Sequence, residues 1–92
     1  PIILCDDNTE LLQQFQTTVS NTILIEDLDA HIYYAYTSSN ALARALPSLP
    51  FPALYLLDAE FPGEMDGFTL AKLIREHDPN GFIVFITTDS NS

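Results

Sequence analysis

Four polar residues stand where apolar runs stop, and together their types could handle a phosphoryl group. Asp6 and Asp7 close the run Ile2–Cys5, Asp58 closes residues 53–57, and Thr87 closes residues 82–86. A carboxylate can attack phosphorus and become an acyl phosphate when nearby positive charge and hydroxyl donors bear the charge spread over the transferring group. Three crowded carboxylates repel one another and tend to hold protons, so such a cluster needs a compensating cation. Few hard oxygen ligands, with room for water and a phosphoryl oxygen, point to Mg2+. Singly, none of the four is specific, because an acid at a strand end is usually a solvated rim residue or helix cap and Thr is a common strand former.

The elements that must position these residues can be read from the hydrophobic rhythm. Ile2–Cys5 is a short continuous apolar run, as expected of a buried parallel strand ending at a polar rim. From Thr9, Leu11, Leu12, Phe15, Val19 and Ile23 recur at helical spacing, with Asn8 or Thr9 as N-cap and Glu10 in the first turn. Glu26, Asp27 and Asp29 break that pattern, and Ile32–Tyr36 reads as a second strand. Ser38 or Ser39 can cap a short helix with Ala41, Leu42, Ala45 and Leu46 inward, which Pro47, Pro50 and Pro52 stop.

Residues 53–57 form the third strand, and Pro62, Gly63 and Gly67 mark a loop. A helix with Phe68, Ala71 and Ile74 on one side then runs to about His77. Asp78, Pro79, Asn80 and Gly81 read as a turn before the fourth strand, residues 82–86. Alternating strands and helices call for a parallel sheet covered on both faces. Ligands of such sheets sit beyond the carboxyl ends of the strands, so Asp6, Asp7, Asp58 and Thr87 are expected on one rim.

Composition narrows the function classes. Ninety-two residues with 47% hydrophobic content suffice for one small domain with a core, here residues 1–92. Thirteen acidic residues against Lys72, Arg44 and Arg75 give a net charge of -10. That field repels nucleic-acid phosphates and anionic membranes, so direct contact with either is not expected of this segment. It suits divalent cations or a basic partner, and equally a plain solvated acidic surface. The single cysteine, Cys5, excludes an internal disulfide and reads as a buried small side chain in a reducing, cytoplasmic setting. Neither a membrane span nor a signal segment is evident. His31 and His77, at a strand start and a helix end, are not expected to be ligands or bases. Tyr33, Tyr34 and Tyr36 lack basic neighbours and read as sheet packing, not as a base-stacking platform.

Several short motifs, weak singly, occur in a telling order: Cys5-Asp6-Asp7-Asn8, Tyr55-Leu56-Leu57-Asp58, Met65-Asp66-Gly67-Phe68, Ile74-Arg75 and Phe85-Ile86-Thr87-Thr88. In order and spacing they resemble the receiver domains of bacterial two-component response regulators. The stretches 73–80 and 82–87 look most like regulators with LytTR-type DNA-binding output, the class serving peptide quorum sensing. The resemblance implies a flavodoxin-like parallel sheet, order 2-1-3-4, with helices on both faces, and Asp58 as acceptor of a phosphoryl group from a sensor histidine kinase. It further implies Mg2+ held by Asp7 directly, by Asp6 through water, by Asp58, and by the main-chain carbonyl of Glu60. Thr87 would be the switch hydroxyl and Thr88 the small residue after it. Asp66-Gly67 would lead into the third helix, with Gly67 supplying backbone freedom.

The same resemblance expects a fifth strand bearing a lysine and an aromatic switch residue, neither of which occurs in the sequence through Ser92. Lys72, inside the third helix, is no substitute. The segment is therefore expected to be a C-terminally incomplete receiver whose exposed fourth strand favours a homo-oligomer or segment-swapped dimer. A DNA-binding output domain is expected on the parent chain. Two other classes fit parts of the pattern. A phosphorylation-independent pseudo-receiver would keep the fold alone, and a haloacid-dehalogenase-like phosphatase would need a second Asp where Asp58-Ala59-Glu60 offers Glu60.

Overall fold

In the computed structural model, which describes residues 1–86, the apolar runs are strands β1 (Ile2–Cys5), β2 (Ile32–Tyr36), β3 (Leu54–Leu57) and β4 (Phe82–Phe85). Between them lie helices α1 (Thr9–Ile25), α2 (Ser39–Ala45) and α3 (Gly67–His77), with a 3-10 turn at Leu46–Ser48. All strand pairings are parallel and the order is β2-β1-β3-β4, as expected. Thr87 and Thr88 lie outside the described residues.

Every residue of β1 is buried because the strand is covered on both faces. Ile2 and Leu4 pack with Leu12, flanked by Phe15, Val19 and Ile23 of α1. Ile3 and Cys5 point the other way, into a larger cluster with Leu42, Leu46, Tyr55, Leu57, Leu70 and Ile74. The twofold alternation along β1 and β3 thus joins two cores through one sheet. β4 forms an edge among the described residues and leaves Phe82 72% exposed.

Caps set where the helices begin. Asn8, rather than Thr9, starts α1, its side-chain oxygen accepting the Leu11 N–H at 3.1 Å. Ser38 does the same for α2 through the Ala41 N–H, and Pro47 turns the chain into the 3-10 segment. Asp66 caps α3 by accepting the Thr69 N–H at 2.8 Å.

The phase of α3 differs from the expected one. Its buried line is Gly67, Leu70 and Ile74, whereas Phe68 is 60% exposed and meets the ring of Phe85 at 4.8 Å. The cause lies at Gly67, whose N–H donates to the Ala59 carbonyl at 2.9 Å. Pressed against the end of β3, Gly67 fixes which side faces inward, and residues three and seven positions later share it. A Cβ on Gly67 would overlap the Asp58 carbonyl oxygen and lie 2.8 Å from the Ala59 Cα. Glycine is needed here for close approach; the positive φ expected of a flexible turn belongs to Gly63, at 82°.

The turn after α3 holds the other surprise. Asp78, only 1% exposed, accepts the Ala53 N–H at 2.9 Å and the Tyr55 hydroxyl at 2.8 Å. Arg75 fastens the same turn from outside, donating to the carbonyls of Pro79 at 2.9 Å and Gly81 at 2.7 Å. The stretch is the expected turn, and its Asp78 is also a buried polar joint between α3 and the start of β3.

Candidate functional site

The parallel register carries the acids to one place. Cys5 pairs with Leu57, and the ladder continues beyond both strands where the Asp58 N–H donates to the Cys5 carbonyl at 3.0 Å. One carboxylate oxygen from each of Asp6, Asp7 and Asp58 falls within 4.8 Å of the other two. Asp6 is 2% exposed, Asp58 is half-buried and Asp7 is exposed, so the cluster grades from floor to solvent.

Asp6 is the most constrained of the three. Its N–H donates to the Tyr36 carbonyl at 3.0 Å, and its Oδ1 accepts the Asn8 N–H at 2.9 Å as the chain turns into α1. Its Oδ2 is buried with no hydrogen-bond partner among the described residues. Burial holds the Asp6 carboxyl above the usual aspartate range; the Asn8 N–H pulls it down, and the charges of Asp58 and Asp7 push it up again. Beneath it, burial and then the charges of Asp6, Glu64, Asp58 and Asp7 push the Cys5 thiol up to about 12, which leaves it un-ionised and inert.

A buried carboxylate oxygen without a donor is costly, and three adjacent acids raise that cost. An oxygen-seeking divalent cation answers both problems, so the donor set fits Mg2+. A carboxyl whose pKa is higher folded than unfolded gives stability that is full below the unfolded value and is lost as pH rises through the folded one. At neutral pH and without divalent cations, Asp6→Asn should therefore stabilise the fold by about 1 kcal/mol, a Tm rise of roughly 4–8 °C, while the same variant loses Mg2+ affinity. Thermal melts with and without Mg2+ read both; a lowered Tm in the metal-free variant would contradict the burial cost assigned to the Asp6 carboxylate.

Glu60 is exposed, and its N–H approaches the Asp58 Oδ1 at 3.4 Å. Thr87 lies outside the described residues; the last described residue before it, Ile86, donates its N–H to the Leu57 carbonyl at 2.8 Å, one residue short of Asp58. Asp66 serves as a helix cap. His31 is exposed, and His77 lies edge-on to Phe51 at 5.0 Å, beside the Asp78 joint rather than the acids. Tyr34 packs on Tyr36 at 4.6 Å. Among the described residues no helix is long and apolar enough to cross a membrane. Sequence reasoning missed Glu64, which binds the start of α2 from across the same rim.

No family model matches the chain. It is 29% identical over 89 residues to accessory gene regulator protein A of Staphylococcus epidermidis, and 28% identical to that of Staphylococcus aureus, covering 97% of this chain in each case. The chain spans about 37% of the length of these curated relatives. Among solved structures, the two-component response regulator RcsB in complex with DNA superposes with a TM-score of 0.78 at 26% identity, over 98% of this chain and 43% of that one. RcsB of Salmonella enterica serovar Typhimurium, bound to promoter rprA in the presence of phosphomimetic BeF3-, gives 0.71 at 27% identity, over 98% and 48%.

Proposed function

Because response regulators are homologues of this chain and its fold is that of their receiver domains, we propose that it is a phosphoacceptor receiver, with Asp58 taking a phosphoryl group from a sensor histidine kinase. The observation that carries this reading is the convergence of Asp6, Asp7 and Asp58 at the carboxyl ends of β1 and β3, with one buried oxygen lacking a donor. The related RcsB structures, bound to DNA and in one case with phosphomimetic BeF3-, support the same reading, and with it a transcription-regulating output on the parent chain in the cytoplasm.

In this mechanism an Asp58 carboxylate oxygen attacks the phosphorus of the kinase phosphohistidine. The phosphorus–nitrogen bond breaks, its electron pair leaves with the imidazole, which takes up a proton, and Asp58 becomes an acyl phosphate. When bound, Mg2+ neutralises the crowded acids and bears charge on the phosphoryl oxygens. Asp7 and Asp58 would hold it directly, Asp6 through water, and Glu60 through its main-chain carbonyl. The rigid backbone bonds of Asp6 and Asp58 orient the nucleophile before the donor arrives. The Thr87 hydroxyl would turn toward the new phosphoryl oxygens and draw the following segment with it.

Incubation of the full chain with acetyl phosphate and Mg2+, followed by intact-mass measurement, tests the proposal. One added phosphate, dependent on Mg2+, is expected. No added phosphate would favour a phosphorylation-independent interaction module, and sustained release of phosphate from unrelated phosphomonoesters would favour a phosphatase.

A further inference from the structure

The rim carries a second polar assembly that the phosphoacceptor reading does not use. The loop after Asp58, residues 59–66, is closed at its base by the bond from the Gly67 N–H to the Ala59 carbonyl at 2.9 Å. Its middle is anchored by Phe61, which is buried in the core with Leu42 and Leu57. Gly63 then turns the chain with a φ of 82°, and Glu64 and Met65 reach the start of α2.

There the two Glu64 carboxylate oxygens accept the Ser38 hydroxyl at 2.8 and 3.0 Å, and one of them accepts the Ser39 N–H at 3.0 Å. The buried Ser39 hydroxyl donates to the Met65 carbonyl at 2.7 Å and lies 3.3 Å from Glu64 Oε1. The Met65 N–H donates to Asn40 Oδ1 at 3.3 Å. The Ser38 hydroxyl, chief among these donors, holds the Glu64 carboxyl below its usual range, so it accepts as a carboxylate at neutral pH. Because Ser38 follows β2, whose Tyr36 carbonyl binds the Asp6 N–H, the assembly bridges the two sides of the acid cluster. One side leads to Asp6 and the other to Asp58.

We propose that Glu64 is a positioning residue for the phosphoacceptor site: by fastening residues 59–66 to Ser38 and Ser39, it holds the backbone just after Asp58 where a bound divalent cation needs it. This inference rests on the receiver reading. It assigns the effect to hydrogen bonds, because Glu64 is exposed and solvent screens its charge. Glutamine keeps an oxygen that can accept the Ser39 N–H and the Ser38 hydroxyl, so it should serve nearly as well.

The test compares the full-length wild type with Glu64→Ala and Glu64→Gln by calorimetric Mg2+ titration and by amide hydrogen exchange of residues 59–66 without metal. Glu64→Ala should weaken Mg2+ binding about tenfold, in the range seen when outer partners of metal ligands are lost, and speed exchange in the loop. Glu64→Gln should restore both to within about twofold of wild type on the same grounds. Unchanged Mg2+ affinity in Glu64→Ala would overturn the inference while leaving the receiver reading intact. So would a glutamine variant as impaired as the alanine one, which would assign the effect to charge. A wild type that takes up no Mg2+ would overturn the receiver reading and this inference together.

Discussion

Asp78→Ala should remove a large fraction of the fold's stability. The substitution removes the acceptor for the Tyr55 hydroxyl and the Ala53 N–H, and Tyr55 is fully buried. Each orphaned buried donor costs about 1–3 kcal/mol, so the pair costs on the order of 2–6 kcal/mol before any cavity forms. A domain of this size has a total stability of roughly 5–14 kcal/mol. Tyr55→Phe breaks only one of the bonds and should cost about 1 kcal/mol. Urea midpoints for the two variants read the difference, and equal midpoints would mean that Asp78 does not bridge the two donors. The same joint gives a dependence on alkaline pH. Burial, together with the bond to Asp78, raises the Tyr55 hydroxyl well above the usual phenol range. Its contribution is full below the unfolded value of about 10 and is lost as pH rises toward the folded one, so stability should fall in strong base and partly recover in Tyr55→Phe.

Asp58→Asn should abolish phosphoryl uptake while leaving the protein folded. Asparagine matches aspartate in shape but is not the anionic nucleophile, and no acyl phosphate can form on its amide. The side chain makes one long hydrogen bond, to the Glu60 N–H at 3.4 Å, so the fold loses little. Removing one of three adjacent negative charges also relieves Asp6, whose carboxyl should titrate nearer its ordinary range in the variant. Borohydride reduction of the phosphorylated wild type, followed by peptide mass spectrometry, should convert Asp58 alone. Label retained on another residue in Asp58→Asn would place the acceptor elsewhere.

Half of the sheet was plainly legible because a buried parallel strand is apolar on both faces, so β1 and β3 each end visibly at an acid. Ile2–Cys5 followed by Asp6, and residues 53–57 followed by Asp58, therefore disclose both the strands and the shared rim. The phase of α3 was less legible. Phe68 outranks Gly67 on any hydrophobicity scale, yet backbone contact at Gly67, not side-chain apolarity, decides which side faces inward. Asp78 and Glu64 were hidden for another reason: their partners lie 23 to 26 residues away, and bonds across elements leave no period in the chain. One clue to the first existed. Tyr55 sits inside an otherwise aliphatic strand, and a buried hydroxyl needs an acceptor, which limits the search to acids or carbonyls near the strand start.

The central claim is that Asp6, Asp7 and Asp58 share one cation beside the phosphoacceptor. Crystals of the protein grown with Mn2+, an oxygen-preferring octahedral ion like Mg2+, test it through anomalous scattering. A single peak is expected at about 2.1 Å from the Asp7 and Asp58 carboxylates, with Asp6 one water away. An empty rim with Mn2+ bound only elsewhere, for instance among Glu26, Asp27 and Asp29, would contradict it.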